Sequence, residues 1–326
     1  MKKGELIEVT IEKLAFGGLG IATIEGLKLF VADSVPGDRV QVKITKKKNN
    51  FAEGKIVALL EPSHQRIQAR CKHFNTCGGC TWQFLSYEDQ LFYKEQIVKE
   101  SLEHIGGFKD ISVSSIIGCQ NPWNYRNKME FSFALDENRH PDIGLHPKGF
   151  HYDVFTLTEC HLPSPRYAEL VKTLRNWIQE NTISIYEARN NSGLLKNVMI
   201  RNNQKGKIMI NFITNQGLLP AVAQLKKCLE SPDIISVIQT QIIAQKGQPT
   251  TRNQKLLWGK EHLEEQLHLR QPWGQLEFSI YPEAFFQPNP VQAATLYAEA
   301  LDRTQIETND INLDLYCGTG TLGLFA

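Results

Sequence analysis

The sequence predicts a multidomain chain of the α+β class that begins with an all-β domain and ends in an α/β segment. Three observations support this fold class. The first 60 residues alternate between apolar and polar positions, the middle of the chain mixes strand patterns with amphipathic helices, and the last residues have the pattern of a strand, a glycine-rich turn and the start of a helix. With 326 residues, the chain is long enough for two or three domains.

Composition and charge leave the partner of the protein open. Lysine and arginine total 36 against 35 acidic residues, and the formal charge of +1 neither requires nor excludes a nucleic acid. Uninterrupted apolar runs are much shorter than the roughly 20 residues of a membrane span. The first residues also lack the apolar core of a secretory signal peptide. We therefore expect a cytoplasmic protein with no membrane partner.

Residues 1–60 are predicted to form a small β-barrel. Short alternating segments are separated by the turn signals Gly17–Gly20 and Val35–Asp38. The most concentrated positive charge of the chain follows, at Lys46, Lys47 and Lys48. These lysines are candidates for contacts to phosphate groups, and a solvated turn is the alternative.

Residues 61–280 are predicted to form a central α+β domain. A helix with an apolar stripe is expected from about Gln83 to Gly107, where two glycines end the pattern. Further helices are expected near Arg166–Asn181 and Leu218–Leu229. The expected strands include Ser184–Ala188, Asn197–Arg201 and Lys207–Thr214.

Four cysteines of this central region have the spacing of a metal site. Cys71, Cys77 and Cys80 are close together, and Cys160 follows some 80 residues later. Three neighbouring thiolates and one remote thiolate can hold an iron–sulfur cluster or a tetrahedral zinc ion. The spacing alone does not choose between these metals, and cysteines without a metal remain the alternative.

Residues 281–326 are predicted to begin an α/β domain. Asn289–Pro290 opens a helix, and a strand over 311–316 leads into a turn with Asp314, Gly318 and Gly320. A glycine-rich turn after the first strand of a doubly wound sheet allows a nucleotide-like ligand to approach the backbone. A single acid with Gly-x-Gly suits S-adenosylmethionine better than a dinucleotide. The alternative is an ordinary strand-to-helix turn.

Two shorter segments carry further candidates. Phe285 is expected in the core, whereas Gln287 stands at the helix entrance with an amide that can donate and accept hydrogen bonds. Tyr125, Arg126 and Lys128 combine an aromatic ring with cations, the composition that stacks on bases and contacts phosphates in RNA-binding proteins. A strand with solvated charges is the alternative for this segment.

Taken in order, these motifs resemble the 23S ribosomal RNA (uracil-5-)-methyltransferase family, in its iron–sulfur-containing branch. The N-terminal barrel resembles a TRAM domain, an OB-like RNA-binding module. The segment 125–131 resembles a signature strand of the family's central RNA-binding domain. The segments 285–289 and 314–320 match the two motifs with which the Rossmann-like methyltransferase domain of the family begins.

The resemblance implies cofactors and site residues. S-adenosylmethionine is the methyl donor of the family, Gln287 and Tyr316 fall on positions that contact it, and Thr321 falls on a position near it. Cys71, Cys77, Cys80 and Cys160 match the four ligands of the family's [4Fe-4S] cluster. The helix near 83–107 would pack its apolar stripe on the methyltransferase domain.

The resemblance also implies RNA as the substrate, with 23S ribosomal RNA first and transfer RNA as the alternative. In the implied mechanism a cysteine thiolate adds to carbon 6 of uracil, and carbon 5 takes the methyl group from the sulfonium. A general base then removes the carbon 5 proton, and the bond between the cysteine and carbon 6 breaks. No obligate protein partner is evident from the sequence.

The family's nucleophilic cysteine and general-base glutamate belong to strands that follow the last residue of this sequence. No residue is therefore assigned a catalytic role, and we expect a truncated or split enzyme that is inactive unless a second, C-terminal polypeptide completes it. Two other classes remain open. One is a non-catalytic, RNA-binding iron–sulfur fragment, and the other is an iron–sulfur electron-transfer or radical enzyme.

Overall fold

The computed structural model describes residues 1–150, 152–244, 247–307 and 309–326. This part of the chain forms two compact units, Met1–Gln120 and Asn121–Ala326. Each unit has its own sheet and its own hydrophobic cores. In the described ranges, none of the helices combines the length and the apolar character needed to cross a membrane.

The first unit begins with a six-stranded sheet. Its strands are β1 (Leu6–Thr10), β2 (Lys13–Leu14), β3 (Gly20–Ile24), β4 (Leu27–Val31), β5 (Arg39–Lys47) and β6 (Phe51–Glu61). The spatial order is β1-β5-β6-β4-β3-β2, and only the neighbours β4 and β6 in this sheet are parallel. Alternate apolar side chains fill its core, among them Val9, Leu29, Val31, Val40 and Val42. The all-β start of the chain is confirmed.

The cysteine-containing segment belongs to the same unit as this sheet. Leu14 and Val35 from the sheet region share a core with Cys71, Phe74 and Phe84. The first compact unit therefore extends to Gln120, whereas the sequence suggested a boundary between residues 60 and 61. The difference arises because packing across this position was not visible in the linear pattern.

The helix expected between residues 83 and 107 is α1 (Tyr87–His104). Ser86 caps its start, since the Ser86 side chain accepts a hydrogen bond from the N–H of Asp89. Tyr93 is the buried residue of the helix and donates from its hydroxyl to Gln65 at 2.6 Å. The apolar stripe borders an open groove of about 600 Å³ within this unit, lined by side chains that include Phe16, Trp82, Ile97, Val98 and Leu102.

The second unit is built on a seven-stranded sheet. Its strands are β7 (Lys128–Leu135), β8 (Pro141–Leu145), β9 (Phe155–Thr156), β10 (Leu195–Asn202), β11 (Ile208–Thr214), β12 (Ile234–Ile243) and β13 (Thr251–Gly259). The spatial order is β13-β12-β11-β10-β7-β8-β9. The pair β11 and β12 is parallel, and the other neighbours are antiparallel.

Two helices, α2 (Arg166–Glu180) and α3 (Val222–Cys228), share the larger core of this unit with one set of sheet side chains. Both lie where the sequence predicted helices. Trp177 of α2 packs edge-on against Phe212 of β11, with ring centroids 5.6 Å apart. The continuous apolar character of the central strands follows from this burial.

A second core of this unit joins the sheet to the C-terminal elements. These are the hairpin of β14 (Leu263–His268) and β15 (Gln275–Ile280), followed by α4 (Pro290–Thr304) and α5 (Thr321–Phe325). Met199 and Met209 from the sheet share this core with Phe286, Leu301 and Phe325. The start of α4 at Pro290 confirms the helix predicted after Asn289.

Two predicted strands do not form. The segment 184–188 makes only the isolated bridges Ile185–Leu195 and Glu187–Ser192. In the described residues, 311–316 is not a strand, and the side chains of Ile311, Leu313 and Leu315 are exposed. A strand requires a hydrogen-bonded neighbour, and no described segment pairs with 311–316. The mixed α+β class is confirmed, but the strand that was to begin a Rossmann-like domain is not present.

Candidate functional site

The loop of residues 281–289, called the 281–289 loop below, connects β15 to α4 and carries Gln287. Phe286 is 6% exposed and packs against Phe278, with ring centroids 5.7 Å apart. Phe285 is 64% exposed, so its prediction as a core residue is wrong. Adjacent side chains face different ways here, and Phe286 occupies the core position instead.

Hydrogen bonds from the sheet hold this loop by its backbone. Asn127 donates from its side-chain Nδ2 to the carbonyl oxygen of Gln287 at 3.1 Å and from its backbone N–H to that of Pro288 at 2.8 Å. Arg201 donates from Nη2 to the carbonyl oxygen of Ala284 at 2.8 Å. At the end of the loop, Asn289 caps α4 by accepting from a backbone N–H of the first turn. The position of Gln287 is thereby fixed through its main chain.

The side chain of Gln287 lies beside Tyr297 of α4. Burial raises the pKa of Tyr297, a hydrogen bond with the Gln287 side chain lowers it, and the nearby carboxylate of Asp314 raises it, so that the net pKa shift is upward. The phenol is therefore neutral at physiological pH and keeps its proton for hydrogen bonding. Of the two residues predicted at the cofactor, Gln287 is the one that hydrogen-bonds to Tyr297, whereas Asp314 acts on it only through its charge.

The glycine-rich turn of residues 314–321 forms without a preceding strand. Tyr316, Gly318 and Gly320 all have positive φ angles, of 64°, 58° and 71°. A Cβ atom on Gly318 would have no neighbour within 4 Å, so that the backbone there is open to a ligand. The side chain of Tyr316 is fully exposed, whereas Thr321 is buried.

Asp314 fastens this turn to the following helix. Its Oδ2 accepts a hydrogen bond from the N–H of Gly323 at 3.1 Å. A Cβ atom on Gly323 would approach the same carboxylate to 3.2 Å, which is a tight contact. Asp314 and Gly323 therefore stabilise the turn by themselves, whether or not a ligand is bound.

The predicted RNA-binding segment leads into β7. Arg126 donates from its backbone N–H to the carbonyl oxygen of Leu162 at 2.9 Å and from Nε to that of Lys128 at 3.1 Å. Lys128 forms an ion pair with Glu130 at 2.8 Å. Tyr125 is half-buried. The segment lies beside residues 161–163, which directly follow Cys160.

The predicted phosphate-binding lysines lie at the turn between β5 and β6. Lys46 forms an ion pair with Glu53 at 2.7 Å, and its Nζ lies 5.4 Å from the centre of the Phe51 ring. Lys47 and Lys48 are exposed, and neither forms an ion pair with any described residue. The three lysines differ in how much of their charge is already balanced.

The predicted metal ligands are divided between the two units. Cys71, Cys77 and Cys80 lie on one segment of the first unit, and Cys160 lies in the second. The N–H of Gly79 donates to the sulfur of Cys77 at 3.4 Å. Among the residues that the structure describes, no group of three or more His, Cys, Asp or Glu side chains is arranged to hold a metal ion. The expected cluster therefore has no support from this geometry.

Sequence reasoning assigned no role to Asn127, Arg201 or Tyr297. Asn127 lies inside the segment 125–131, but its hydrogen-bonding partners in the 281–289 loop are far away in sequence. Arg201 had a visible signal, because it is a cation at the end of the apolar run of β10. In the sequence, Tyr297 is distinguished only as an apolar position of the helix that follows Asn289.

Known proteins resemble this chain along its whole length. Residues 1–57 match the TRAM domain family. A protein of Clostridium tetani described as an uncharacterized RNA methyltransferase is 31% identical over 328 aligned positions, covering 100% of this chain and 69% of that protein. One of Bacillus cereus with the same description is 33% identical over 334 positions, covering 100% of this chain and 70% of that protein.

A solved structure is similar as well. It is the crystal structure of Pyrococcus abyssi tRNA (uracil-54, C5)-methyltransferase in complex with S-adenosyl-L-homocysteine. The TM-score is 0.72 at 25% sequence identity, with 98% of this chain and 69% of that chain covered. The identity and the coverage of the bacterial relatives, together with the TRAM match, lead to one assignment. This chain belongs to the family of TRAM-containing RNA methyltransferases.

Proposed function

We propose that this protein transfers the methyl group of S-adenosylmethionine to carbon 5 of a uridine in RNA. The membership in the RNA methyltransferase family supports the reaction class. The similarity to a tRNA (uracil-54, C5)-methyltransferase supports uracil as the target base. The RNA is 23S ribosomal RNA or transfer RNA, and cytosolic location follows from either substrate.

The observation that carries the proposal is the pair of hydrogen bonds from Asn127 to the 281–289 loop. These bonds connect the segment 125–131, which resembles an RNA-binding strand, directly to the loop that carries Gln287. A methyltransferase must place its RNA base and its methyl donor next to each other. A segment that contacts RNA just before β7 and also fixes the cofactor loop would meet this requirement within one compact unit.

Six residues would form the S-adenosylmethionine site: Gln287, Asp314, Tyr316, Gly318, Gly320 and Thr321. The Gln287 side chain hydrogen-bonds to the Tyr297 phenol, whose pKa the Asp314 carboxylate also raises, and a Cβ atom on Gly318 would have no neighbour within 4 Å. The buried Thr321 would support the turn rather than contact the ligand through its side chain. When bound, S-adenosylmethionine supplies an electrophilic methyl group on its sulfonium.

The RNA would contact two surfaces. In the second unit these are Tyr125, Arg126 and Lys128, beside the 281–289 loop. In the first unit they are Lys46, Lys47 and Lys48 at the β5–β6 turn. Lysine and arginine contacts to phosphates supply affinity with little sequence preference, so the choice of uridine would depend on the site around Gln287.

We keep the four-cysteine [4Fe-4S] cluster as part of the proposal. Its support is the donor set, because thiolates are the usual ligands of such clusters. The N–H to sulfur contact at Cys77 is of the kind that stabilises a ligand thiolate. Cys71, Cys77, Cys80 and Cys160 would hold it in a structural role. The covalent mechanism expected from the resemblance is likewise part of the proposal, and no described residue is assigned as its nucleophile.

The relatives align with all of the residues of this chain. They give no support to the expectation that the chain is inactive by itself.

A methyl-transfer assay with the full-length protein tests the proposal. Radiolabelled S-adenosylmethionine is offered with unmodified 23S ribosomal RNA, with unmodified transfer RNA and with both RNAs in which the uridines carry deuterium at carbon 5. We expect methyl incorporation into one RNA, with loss of the carbon 5 deuterium.

Gln287→Ala should lower this incorporation at least about tenfold, and Gln179→Ala on α2 serves as the control that leaves it unchanged. Label in RNA without loss of deuterium would refute methylation at carbon 5. Absence of transfer to either RNA, together with absence of S-adenosylhomocysteine binding, would refute the methyltransferase itself.

A further inference from the structure

Arg201 is a buried cation to which neither the sequence nor the proposed function assigns a role. Its side chain lies in the second unit and is 2% exposed. Met199 two residues earlier and Met209 opposite it on β11 place it on the apolar face of the second core. Among the described residues, no carboxylate forms an ion pair with it. Such a charge is costly to bury and is normally replaced or paired.

The hydrogen bonds of Arg201 go to one loop. Nη2 donates to the carbonyl oxygen of Ala284 at 2.8 Å, and Nη1 lies 3.5 Å from that of Tyr281. Its Nε has no partner among the described residues. The guanidinium therefore uses two of its nitrogen atoms to bind two carbonyl oxygens of the 281–289 loop.

Arg175 shows how a structural arginine differs in the same unit. It also donates to two carbonyl oxygens, those of Ile143 and Leu157, each at 2.9 Å. In addition it forms an ion pair with Asp142, which balances its charge. Arg201 binds carbonyl oxygens in the same way but lacks such a carboxylate among the described residues, so charge pairing does not account for its burial.

Asn127 holds the other end of the loop. It is 4% exposed and binds the carbonyl oxygens of Gln287 and Pro288, while its Oδ1 has no partner among the described residues. Its own backbone is fixed, because its carbonyl oxygen accepts from the N–H of Asn202 at 2.9 Å and lies 2.9 Å from the Tyr167 hydroxyl. Asn202 is the residue after Arg201, so both contacts to the loop start from one point of the sheet.

We propose that Asn127 and Arg201 are positioning residues for methyl transfer. They hold the 281–289 loop through four carbonyl oxygens, and they thereby set the direction in which the Gln287 side chain reaches the methyl donor. Because the contacts are to the backbone, the loop side chains remain available, as the exposed Phe285 illustrates. This inference rests on the proposed function.

The location of the two residues explains why polar groups are used. Arg201 is the second-last residue of β10, and Asn127 precedes β7, which pairs with β10 at Arg201–Lys128. A shift of the segment 125–131 would therefore move the donor atoms of Asn127 that hold the 281–289 loop. Apolar packing could hold the loop as firmly, but it would not fix individual carbonyl oxygens in direction.

Three variants of the full-length protein test the inference: Arg201→Met, Arg201→Lys and Asn127→Asp. Hydrogen exchange compares a peptide of the 281–289 loop with one from β11, and calorimetry measures the affinity for S-adenosylhomocysteine. We expect Arg201→Met and Asn127→Asp to speed exchange in the loop but not in β11. Their dissociation constants should rise about tenfold, which corresponds to the ~1.4 kcal/mol of one hydrogen bond.

Arg201→Lys keeps the charge and one or two donors, and its affinity should fall between that of Arg201→Met and the wild type. Arg175→Met is the matched control, since it removes a carbonyl-binding arginine elsewhere in the unit. It should lower the thermal midpoint and leave the affinity unchanged. The lysine variant and Asn127→Asp keep the test usable if Arg201→Met does not fold.

Unchanged loop exchange in both Arg201→Met and Asn127→Asp would overturn the inference. Faster exchange throughout the second unit would also overturn it, because the residues would then be structural. Faster loop exchange with unchanged S-adenosylhomocysteine affinity would also overturn the inference. The two residues would then hold the loop without affecting cofactor binding. If the wild-type protein binds no S-adenosylhomocysteine, the proposed function fails, and the positioning role fails with it. Hydrogen exchange still reports in that case whether Asn127 and Arg201 hold the 281–289 loop.

Discussion

The side-chain Nδ2 of Asn127 donates a hydrogen bond to the carbonyl oxygen of Gln287 at 3.1 Å, across 160 residues of sequence. Asn127 enters the central sheet through the segment that resembles an RNA-binding strand, and Gln287 precedes α4 in the loop expected at the methyl donor. The bond therefore joins the two halves of the proposed reaction in one unit. It adds a backbone contact to the packing of Phe286 and the cap of Asn289, which also hold the loop.

Tyr297→Phe should weaken cofactor use without unfolding the protein. The variant removes the hydroxyl that meets the Gln287 side chain and keeps the ring in place. A hydrogen bond of about 1 kcal/mol predicts a roughly fivefold rise in KM for S-adenosylmethionine, with a smaller change in kcat. Steady-state methyl transfer measures both constants. Tyr186→Phe removes an exposed hydroxyl in the same unit, and an equal effect of both variants would contradict the prediction.

Asp38→Ala should strongly destabilise the first unit. The Asp38 carboxylate is fully buried and accepts from the N–H groups of Val35 and Ser63 and from Arg66. Removing one partner of a buried ion pair costs about 3–5 kcal/mol. Hydrogen exchange of β5 and β6 peptides measures this loss. Glu61→Ala breaks the exposed pair with Arg39 and should cost less than about 1 kcal/mol, so a similar cost for both would count against the argument.

Two neighbouring glutamates of β14 should contribute to the free energy of unfolding with opposite dependence on pH. Burial raises the pKa of Glu265, so its ionisation opposes folding at neutral pH, and its contribution to stability is lost as pH rises through the folded-state pKa. A hydrogen bond with Lys260 lowers the pKa of Glu264, whose contribution is present at neutral pH and lost as pH falls.

Glu265→Gln should therefore stabilise the protein at pH 7.5 relative to the wild type, with a difference that shrinks towards pH 4. Glu264→Gln should destabilise it slightly at pH 7.5, and this difference should also shrink on acidification. Urea denaturation at several pH values measures both. Parallel pH profiles for the two variants would contradict the assignment.

Local signals in the sequence predicted local structure well. Asn289–Pro290 marks the start of α4 because a side-chain cap and a proline act within one helical turn. The strand β12 gave no alternating signal, because several consecutive residues of it are buried. The contacts of Arg201 and Asn127 could not be read from the sequence, because their partners are 83 and 160 residues away. Which of Phe285 and Phe286 faces the core was likewise decided by the tertiary fold.

Metal analysis decides the proposed cluster. Anaerobically purified protein should contain about four irons per chain and absorb broadly near ~400 nm. Cys77→Ser should lower the iron content, whereas Cys228→Ser, which changes an exposed cysteine of α3, should not. One zinc per chain with no iron would replace the cluster by a tetrahedral zinc site. A folded protein without metal would remove the site altogether.

Lys47 should contribute more to RNA binding than Lys46, although the two are adjacent in sequence. Lys46 forms an ion pair with Glu53, so part of its charge is already balanced before RNA arrives. Lys47 is exposed and forms no ion pair with the described residues. Removal of one lysine–phosphate interaction should reduce the slope of log K against log salt by about 0.7–0.9.

Lys47→Ala should therefore reduce this slope by nearly that full amount, and Lys46→Ala by less. Glu53→Gln should have the opposite effect, because it releases Lys46 and removes a negative charge from the surface. Filter binding of the full-length protein to transfer RNA and to a 23S ribosomal RNA fragment over a range of salt concentrations measures these slopes. If Glu53→Gln weakens binding, the lysines of the β5–β6 turn do not contact phosphate, and the turn is only a solvated one.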